Sequence, residues 1–415
     1  MKLSYANNKI CINKSNTKNN INVELPISKS YAIRACASAF LANDTNTINK
    51  IKSNADNDDI KAGLNCIDGI SKKSISNCSE SALAIRLFSF IASCCASADN
   101  PITLVAEGSL RYRELEKLSE VLTYFKINNL LEELKENNTQ RIDLIISSKI
   151  NPGNYILSNV NTSQILTGAL MTLPLCEEDS TIKIKNLKSK YYIELTLEIM
   201  KKFGVYVENK NYEDFYIKGG QKYIPPKIEL ERDWSAAANF FILGAIRGDV
   251  SITGLDVNSK QPDKIIYDFL KKLKIDIVHN KNKIEIKKSN ITEFNFDATD
   301  YPDLIPPLVV LALNSTGCCY ITGIHRLLNK ESNRRDALLE EFTKLGANIK
   351  FDLQNDRFII NPGELSSGSV NSHNDHRIAM ALGIAAVSSG KNINIINANS
   401  VSKSFPNFWK TILKA

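Results

Sequence analysis

Leu25-Pro26-Ile27-Ser28-Lys29-Ser30-Tyr31-Ala32-Ile33-Arg34 is the stretch from which the rest of the chain is read. Pro26 and Ser28 mark the end of an extended segment and a helix N-cap. The apolar run 35–41 that follows is long enough for a buried helix. Lys29 and Ser30 therefore fall on a first helical turn, whose free N–H groups favour an anion. Lys29 adds a point charge there, and Arg34, one turn on, adds a planar fork suited to carboxylate or phosphate. Taken alone, the stretch would be a capped helix with a solvated lysine.

It does not stand alone, because the same device recurs. Ser79-Glu80-Ser81 precedes the apolar run 82–96, with Arg86 one turn in, and Asn161-Thr162-Ser163-Gln164 precedes 165–175. Asp233-Trp234-Ser235 precedes 236–246, Asp300-Tyr301-Pro302-Asp303 precedes 304–313, and Asn374-Asp375-His376-Arg377 precedes 378–387. Six capped apolar helices are expected, each opening on polar or charged side chains.

Between them runs a second pattern of strand, amphipathic surface helix and hairpin. It is clearest as 181–185, 193–203, 204–207 and 214–217; as 251–254, 264–273, 275–278 and 283–286; and as 319–323, 335–345, 347–350 and 357–360. A weaker version runs from 102 through 115–125 to 142–146, and a truncated one from Thr47 to Ile75. The unit of buried helix, strand, surface helix and hairpin thus repeats at roughly seventy residues. The last unit stops after 393–396 and 408–413, and its missing hairpin is available at the other end, in 2–5 and 9–12. One domain is therefore expected from residues 1–27 with 232–415, and the second from 28–231. Two crossing strands near Ile27 and Arg232 would form a hinge, with a ligand expected in the cleft between domains. Six helix N-termini facing one cleft would suit a multiply anionic small molecule.

Composition agrees with a soluble protein built from more than one core: 415 residues, 43% hydrophobic, 23% charged, net charge +7. There is no Lys/Arg block of the kind that marks a nucleic-acid arm. Nine cysteines without a C-x-x-C support neither a zinc ribbon nor a redox motif. Several of them lie in apolar runs and read as small hydrophobes, with a reducing cytoplasm as the simplest setting. The polar N-terminus does not read as a signal peptide, and no apolar run approaches a membrane span.

The densest charge lies in Ile324-His325-Arg326-Leu327-Leu328-Asn329-Lys330-Glu331-Ser332-Asn333-Arg334-Arg335-Asp336, which alone could be a salt-bridged turn. Asp303, beside Pro302, could cap a helix or act as a base toward a bound hydroxyl. Lys403 is uninformative individually. No G-x-x-x-x-G-K-[ST], G-x-G-x-x-G, G-x-S-x-G or H-E-x-x-H occurs, and His325, His373 and His376 lack a zinc pattern.

Together these motifs resemble the 5-enolpyruvylshikimate-3-phosphate synthase family over essentially the whole chain. The resemblance is carried by Leu25-Pro26-x-Ser28-Lys29-Ser30 with Arg34, Thr162-Ser163-Gln164, Ser189-Lys190-x-Tyr192, Lys330-Glu331-x-x-Arg334, Asn374-Asp375-His376-Arg377 and Lys403-x-Phe405-Pro406, in order. It implies an α/β, two-domain enolpyruvyl transferase fold. Each domain would hold three βαβαββ units as an inside-out α/β barrel, and a double crossover would join the two. It also implies enolpyruvyl transfer from phosphoenolpyruvate to the 5-hydroxyl of shikimate 3-phosphate, with release of phosphate. Shikimate 3-phosphate would be held by Lys29, Ser30, Arg34, Thr162, Ser163, Gln164, Ser189, Asp303 and Lys330, with Tyr192 supporting the pocket. Phosphoenolpyruvate would be held by Lys29, Arg113, Gln164, Arg334, Arg377 and Lys403. Asp303 is the candidate base, Glu331 the candidate acid, and Lys29 a third catalytic candidate. No metal, organic cofactor, nucleic acid or membrane is implied, and a cytoplasmic monomer is expected.

Two stretches depart from the family pattern. Its Asn-Ala-Gly-Thr-Ala-x-Arg appears as Glu80-Ser81-Ala82-Leu83-Ala84-Ile85-Arg86. Glu80 brings a negative charge toward the anion site, and Ala82 replaces a glycine that lets phosphoenolpyruvate and the inhibitor glyphosate approach the backbone, so reduced glyphosate sensitivity is expected. Arg113-Glu114 stands where Arg-Pro is usual, so Arg113 rests on register. The rival reading is the sister transferase acting on UDP-N-acetylglucosamine, but residues 107–114 lack its catalytic cysteine. A basic repeat protein binding nucleic acid would need basic runs interleaved with aromatics, which are absent from the sequence.

Overall fold

The computed structural model describes residues 8–136, 139–158 and 163–414. The six apolar runs form the helices Lys29–Leu41, Ala82–Ser93, Ser163–Thr172, Trp234–Arg247, Ile305–Leu313 and His376–Ser389. A helix apolar on all sides must be buried on all sides, and these are buried along most of their length. Ser81, Asp233 and Asp375 cap three of them, accepting hydrogen bonds from the backbone N–H of Ala84, Ala236 and Arg377.

The chain divides into two compact units, Met1–Ser28 with Glu231–Ala415, and Lys29–Leu230. In the first, Trp234–Arg247, Ile305–Leu313 and His376–Ser389 pack pairwise on one another. In the second, Ala82–Ser93 packs on both Lys29–Leu41 and Ser163–Thr172. The approach in this second unit requires a glycine: a Cβ on Gly168 would lie 2.5 Å from Phe90 Cδ2.

Around these helices stand small mixed sheets of one design, a parallel pair extended by an antiparallel hairpin. Asn154–Leu157, Ser180–Ile184, Asp214–Ile217 and Glu208–Lys210 lie in that spatial order. So do Asn295–Asp297, Cys319–Thr322, Arg357–Asn361 and Asn348–Asp352. The chain from Asn154 to Ile217 reads strand, buried helix, parallel strand, surface helix, hairpin, which is one βαβαββ unit. In another sheet Ile21–Glu24 pairs in parallel with Val250–Thr253, so the whole second unit is inserted between two neighbouring strands. The two passages of chain are bonded side by side within the first unit, through an Ile27–Arg232 bridge and Ser28 N–H donating to the Glu231 carbonyl at 2.8 Å. Lys9–Ile12 pairs antiparallel with Ile393–Ile396, so the N-terminal strand completes the last sheet.

Two expectations need correction. Residues 47–75 do not form a strand, helix and hairpin: they lie in two helices, Thr45–Ser53 and Asp58–Ser71, ahead of a two-residue strand. Asp44 caps the first by accepting from Thr47 N–H at 3.1 Å, and that local signal outweighs the β-branched spacing of Thr47 and Ile51. The strand expected at 204–207 lies instead at Glu208–Lys210, paired with Asp214–Tyr216. The expected strand 2–5 falls outside the described residues.

Candidate functional site

In the unit Glu231–Ala415, Asn333 caps the helix Arg334–Lys344, which places Arg334 on its first turn, 1% exposed. Its guanidinium is gripped by three carboxylates: Nε donates to Asp375 Oδ2 at 2.7 Å, Nη1 to Asp303 Oδ1 at 2.8 Å and Nη2 to Glu331 Oε2 at 2.5 Å. Asp303 is also approached by Lys330 Nζ at 3.7 Å, while its Oδ2 accepts from Arg377 Nη2 at 3.3 Å. Asp375 is fully buried, and while its Oδ2 serves Arg334 and Ser332 its Oδ1 caps the helix carrying Arg377.

These contacts set the charges. Burial alone would lower both Arg334 and Arg377, but Asp375, Glu331 and Asp303 outweigh it for the first, and Asp303, Asp233 and Asp263 for the second. Both guanidiniums are therefore held above their ordinary range. Burial dominates at Lys330 and pulls its ammonium down to about 8, despite Asp303. Three buried or half-buried cations here are matched by the protein's own carboxylates. Lys403 ends the short turn of helix Ala398–Lys403, half-buried.

In the unit Lys29–Leu230, Lys29 is the first residue of its helix and its Nζ lies 2.7 Å from Asp59 Oδ2. Ser30 is half-buried, and its carbonyl accepts from Arg34 Nη1 at 2.9 Å. Arg34 is 1% exposed, with Nε and Nη2 donating to Thr196 and Thr167 and its plane over the Tyr192 ring. Burial pulls it down to about 10, so it stays a cation at neutral pH, turned toward the helices rather than outward. Ser163 opens its helix and is buried, Gln164 is half-buried, and Ser189 is buried in the left-handed backbone region ahead of Tyr192. Thr162 lies outside the described residues.

Arg86 was not among the candidate site residues, yet it links two of them. Its Nη1 donates to Gln164 Oε1 at 2.8 Å and its Nη2 to the Arg113 carbonyl at 3.0 Å. The signal for it was its place one turn into a capped apolar helix, the same place as Arg34. Asp59 and Asp375 were missed as well, the first without any local signal. Glu80 does not stand as a bare charge: its carboxylate accepts from Ser109 Oγ at 2.5 Å, and Gly108, at φ +51°, has room on that side for no Cβ. Glu80 braces the 108–109 turn. Ala82, 4% exposed, is the first residue of its helix.

Elsewhere, Glu340, Glu341 and His373 come together, but Lys344 Nζ lies 2.7 and 2.8 Å from the two carboxylates and fills the role a cation would have.

Comparison with known proteins adds a family match, two relatives and two solved structures. The family model described as EPSP synthase (3-phosphoshikimate 1-carboxyvinyltransferase) matches residues 14–412. The 3-phosphoshikimate 1-carboxyvinyltransferase of Clostridium novyi is 35% identical over 423 residues, covering 94% of each chain. That of Clostridioides difficile is 35% identical over 421 residues, covering 94% of this chain and 93% of its own. Among solved structures, an EPSP synthase from Acinetobacter baumannii superposes with a TM-score of 0.73 at 18% identity, over 97% of both chains. The enolpyruvyl transferase NikO from Streptomyces tendae does so with a TM-score of 0.64 at 14% identity, over 97% of this chain and 96% of its own. The fold is that of the two-domain enolpyruvyl transferases, and with a family model running from residue 14 to 412 the chain belongs to the EPSP synthase (3-phosphoshikimate 1-carboxyvinyltransferase) family.

Proposed function

We propose that this chain transfers the enolpyruvyl group of phosphoenolpyruvate to the 5-hydroxyl of shikimate 3-phosphate, releasing phosphate, in the route to chorismate and the aromatic amino acids. The observation that carries this reading is the single buried guanidinium of Arg334 joined to both candidate proton-transfer carboxylates, Asp303 and Glu331. Arriving anions compete for Arg334, Arg377 and Lys330, and so loosen the cations from Asp303. A carboxylate relieved of its cations becomes a stronger base. Asp303 then takes the proton of the 5-hydroxyl as its oxygen bonds to C2 of phosphoenolpyruvate, and Glu331 delivers a proton to the methylene carbon. Loss of one proton from the resulting methyl group, together with phosphate, restores the double bond.

Shikimate 3-phosphate is assigned to Lys29, Ser30, Arg34, Thr162, Ser163, Gln164, Ser189, Asp303 and Lys330. Phosphoenolpyruvate is assigned to Lys29, Arg113, Gln164, Arg334, Arg377 and Lys403, with Arg86 added as the residue that ties Gln164 to Arg113. Each step is an addition or elimination that acids and bases supply. The working state we assign is a cytoplasmic monomer. No helix among the described residues is long and apolar enough to cross a membrane.

The test is phosphate release from phosphoenolpyruvate, offered shikimate 3-phosphate in one reaction and UDP-N-acetylglucosamine in another. Release with the first acceptor alone is the expected result; release with the second alone would keep the fold and overturn the substrate.

The same reading carries a prediction for inhibition. The methyl group of Ala82 stands at the start of a helix where a glycine would leave the backbone open to a ligand. Ala82→Gly is expected to lower the glyphosate inhibition constant, measured against phosphoenolpyruvate, by about tenfold. An unchanged constant would remove Ala82 from the account.

A further inference from the structure

Beside Arg377 lies a carboxyl group that the proposed reaction does not use. Asp263, in the short turn Pro262–Lys264, is 1% exposed. Its Oδ2 accepts a hydrogen bond from Ser235 Oγ on the first turn of Trp234–Arg247, while its Oδ1 is buried with no hydrogen-bond partner. Arg377 Nε is likewise buried and unbonded. The charged groups facing Asp263 are Asp303 from the turn Pro302–Leu304, Arg377 from the helix His376–Ser389, and Asp233, the cap of Trp234–Arg247. Three carboxyl groups from separate parts of the chain thus act on one guanidinium, Asp303 by a direct bond of 3.3 Å from Arg377 Nη2 and the other two through their charge.

A carboxyl group buried with one oxygen unbonded, and acted on by two further carboxylates, does not readily ionise alongside them. Burial first, and the Asp303 carboxylate second, push the Asp263 acid up to about 7, against the pull of Arg377 and of the Ser235 hydrogen bond. An anion arriving at Arg377 adds negative charge beside Asp263 and favours its protonated form. Reciprocally, protonated Asp263 leaves more of the Arg377 charge for the anion. Resting on the reaction proposed above, we infer that Asp263 is a positioning residue that couples loading of the phosphoenolpyruvate carboxylate onto Arg377 to the uptake of one proton. The site accordingly takes its second anion more weakly as pH rises through neutrality.

Asp263→Asn keeps the shape and imitates the protonated state. The ratio of the phosphoenolpyruvate KM of the wild type to that of Asp263→Asn cancels the ionisation of the substrate itself. It is expected to rise about tenfold between pH 6 and pH 8, the linkage of one proton. A flat ratio overturns the inference. A purely structural defect would instead lower kcat alike at every pH. Ser235→Ala removes a hydrogen bond that favours the ionised form, so the inflection moves to higher pH; no movement, or movement to lower pH, also overturns it. A measurement free of turnover separates this inference from the reaction it rests on. With carboxyl-13C aspartate, one resonance absent from Asp263→Asn should titrate near neutrality, and its midpoint should rise when sulfate is added. A midpoint indifferent to sulfate defeats the proton coupling even in an active enzyme. A responsive midpoint in a chain that turns over neither acceptor defeats the reaction and leaves the coupling standing.

Discussion

Arg334→Lys is expected to lower kcat/KM about a thousandfold and to destabilise the protein by about 1.5–3 kcal/mol, the range for losing hydrogen bonds to charged groups while the charge itself is kept. The guanidinium spans three carboxylates at 2.5–2.8 Å, each on its own nitrogen. An ammonium is a point charge and cannot hold that planar arrangement. Asp375, fully buried, would lose its strongest partner while still capping the helix that carries Arg377, so the damage passes to a second cation. Asp303 and Glu331 would lose the group that fixes their separation. Steady-state kinetics and thermal unfolding read the two effects, with Arg335→Lys as the neighbour control, since Arg335 pairs with exposed Asp336 instead. A variant within tenfold of wild-type kcat/KM would refute the placement of Arg334 at the centre of the chemistry.

Asp303→Asn is expected to lower kcat by about 10²–10⁴, the range for a lost general base, without raising the KM for phosphoenolpyruvate. The split follows from the geometry. Asp303 competes with anions for Arg334, Arg377 and Lys330, so removing its charge frees those cations for the substrate while removing the base. Lys330 supplies a second readout with a definite sign. Asp303 raises the ammonium that burial has lowered to about 8. The cation is present below that pH and lost above it, so wild-type affinity for shikimate 3-phosphate should fall as pH rises past about 8. In Asp303→Asn the same loss begins at lower pH. A variant whose KM for phosphoenolpyruvate rises in step with the fall in kcat would mean that Asp303 holds substrate rather than accepting its proton.

What was legible in the sequence were the six helix starts and the strand–helix–hairpin repeat, because caps and periodicity are local. The first turns of those helices also drew attention to Lys29, Gln164, Asp303 and Arg377. Ion pairing was not legible. Nothing near Asp59 announces that it meets Lys29, and nothing near Asp263 announces Ser235 or Arg377, because those meetings depend on which helices pack together. Arg86 shows the boundary between the two cases: its position was visible, while its hydrogen bonds to Gln164 and the Arg113 carbonyl were not. The 47–75 misreading has the opposite cause. A local cap, Asp44, stands in the sequence and starts a helix where a truncated strand–helix–hairpin unit was expected.

Among the described residues, the strand Lys9–Ile12 pairs with Ile393–Ile396 alone. On a ribosome adding about 5–20 residues per second, it emerges long before that partner and waits on the order of tens of seconds for it. The stretch Lys29–Leu230 is contiguous and has all of its own strands long before then. Synthesis therefore presents a nascent chain whose middle can close while both flanks are still open. The edge of Lys9–Ile12 stays unpaired until Ile393–Ile396 is made, and the apolar face of Trp234–Arg247 stays open until His376–Ser389 is made. The order in which this protein becomes safe from aggregation is thus set by its topology: the inserted unit first, and the unit built from both ends last.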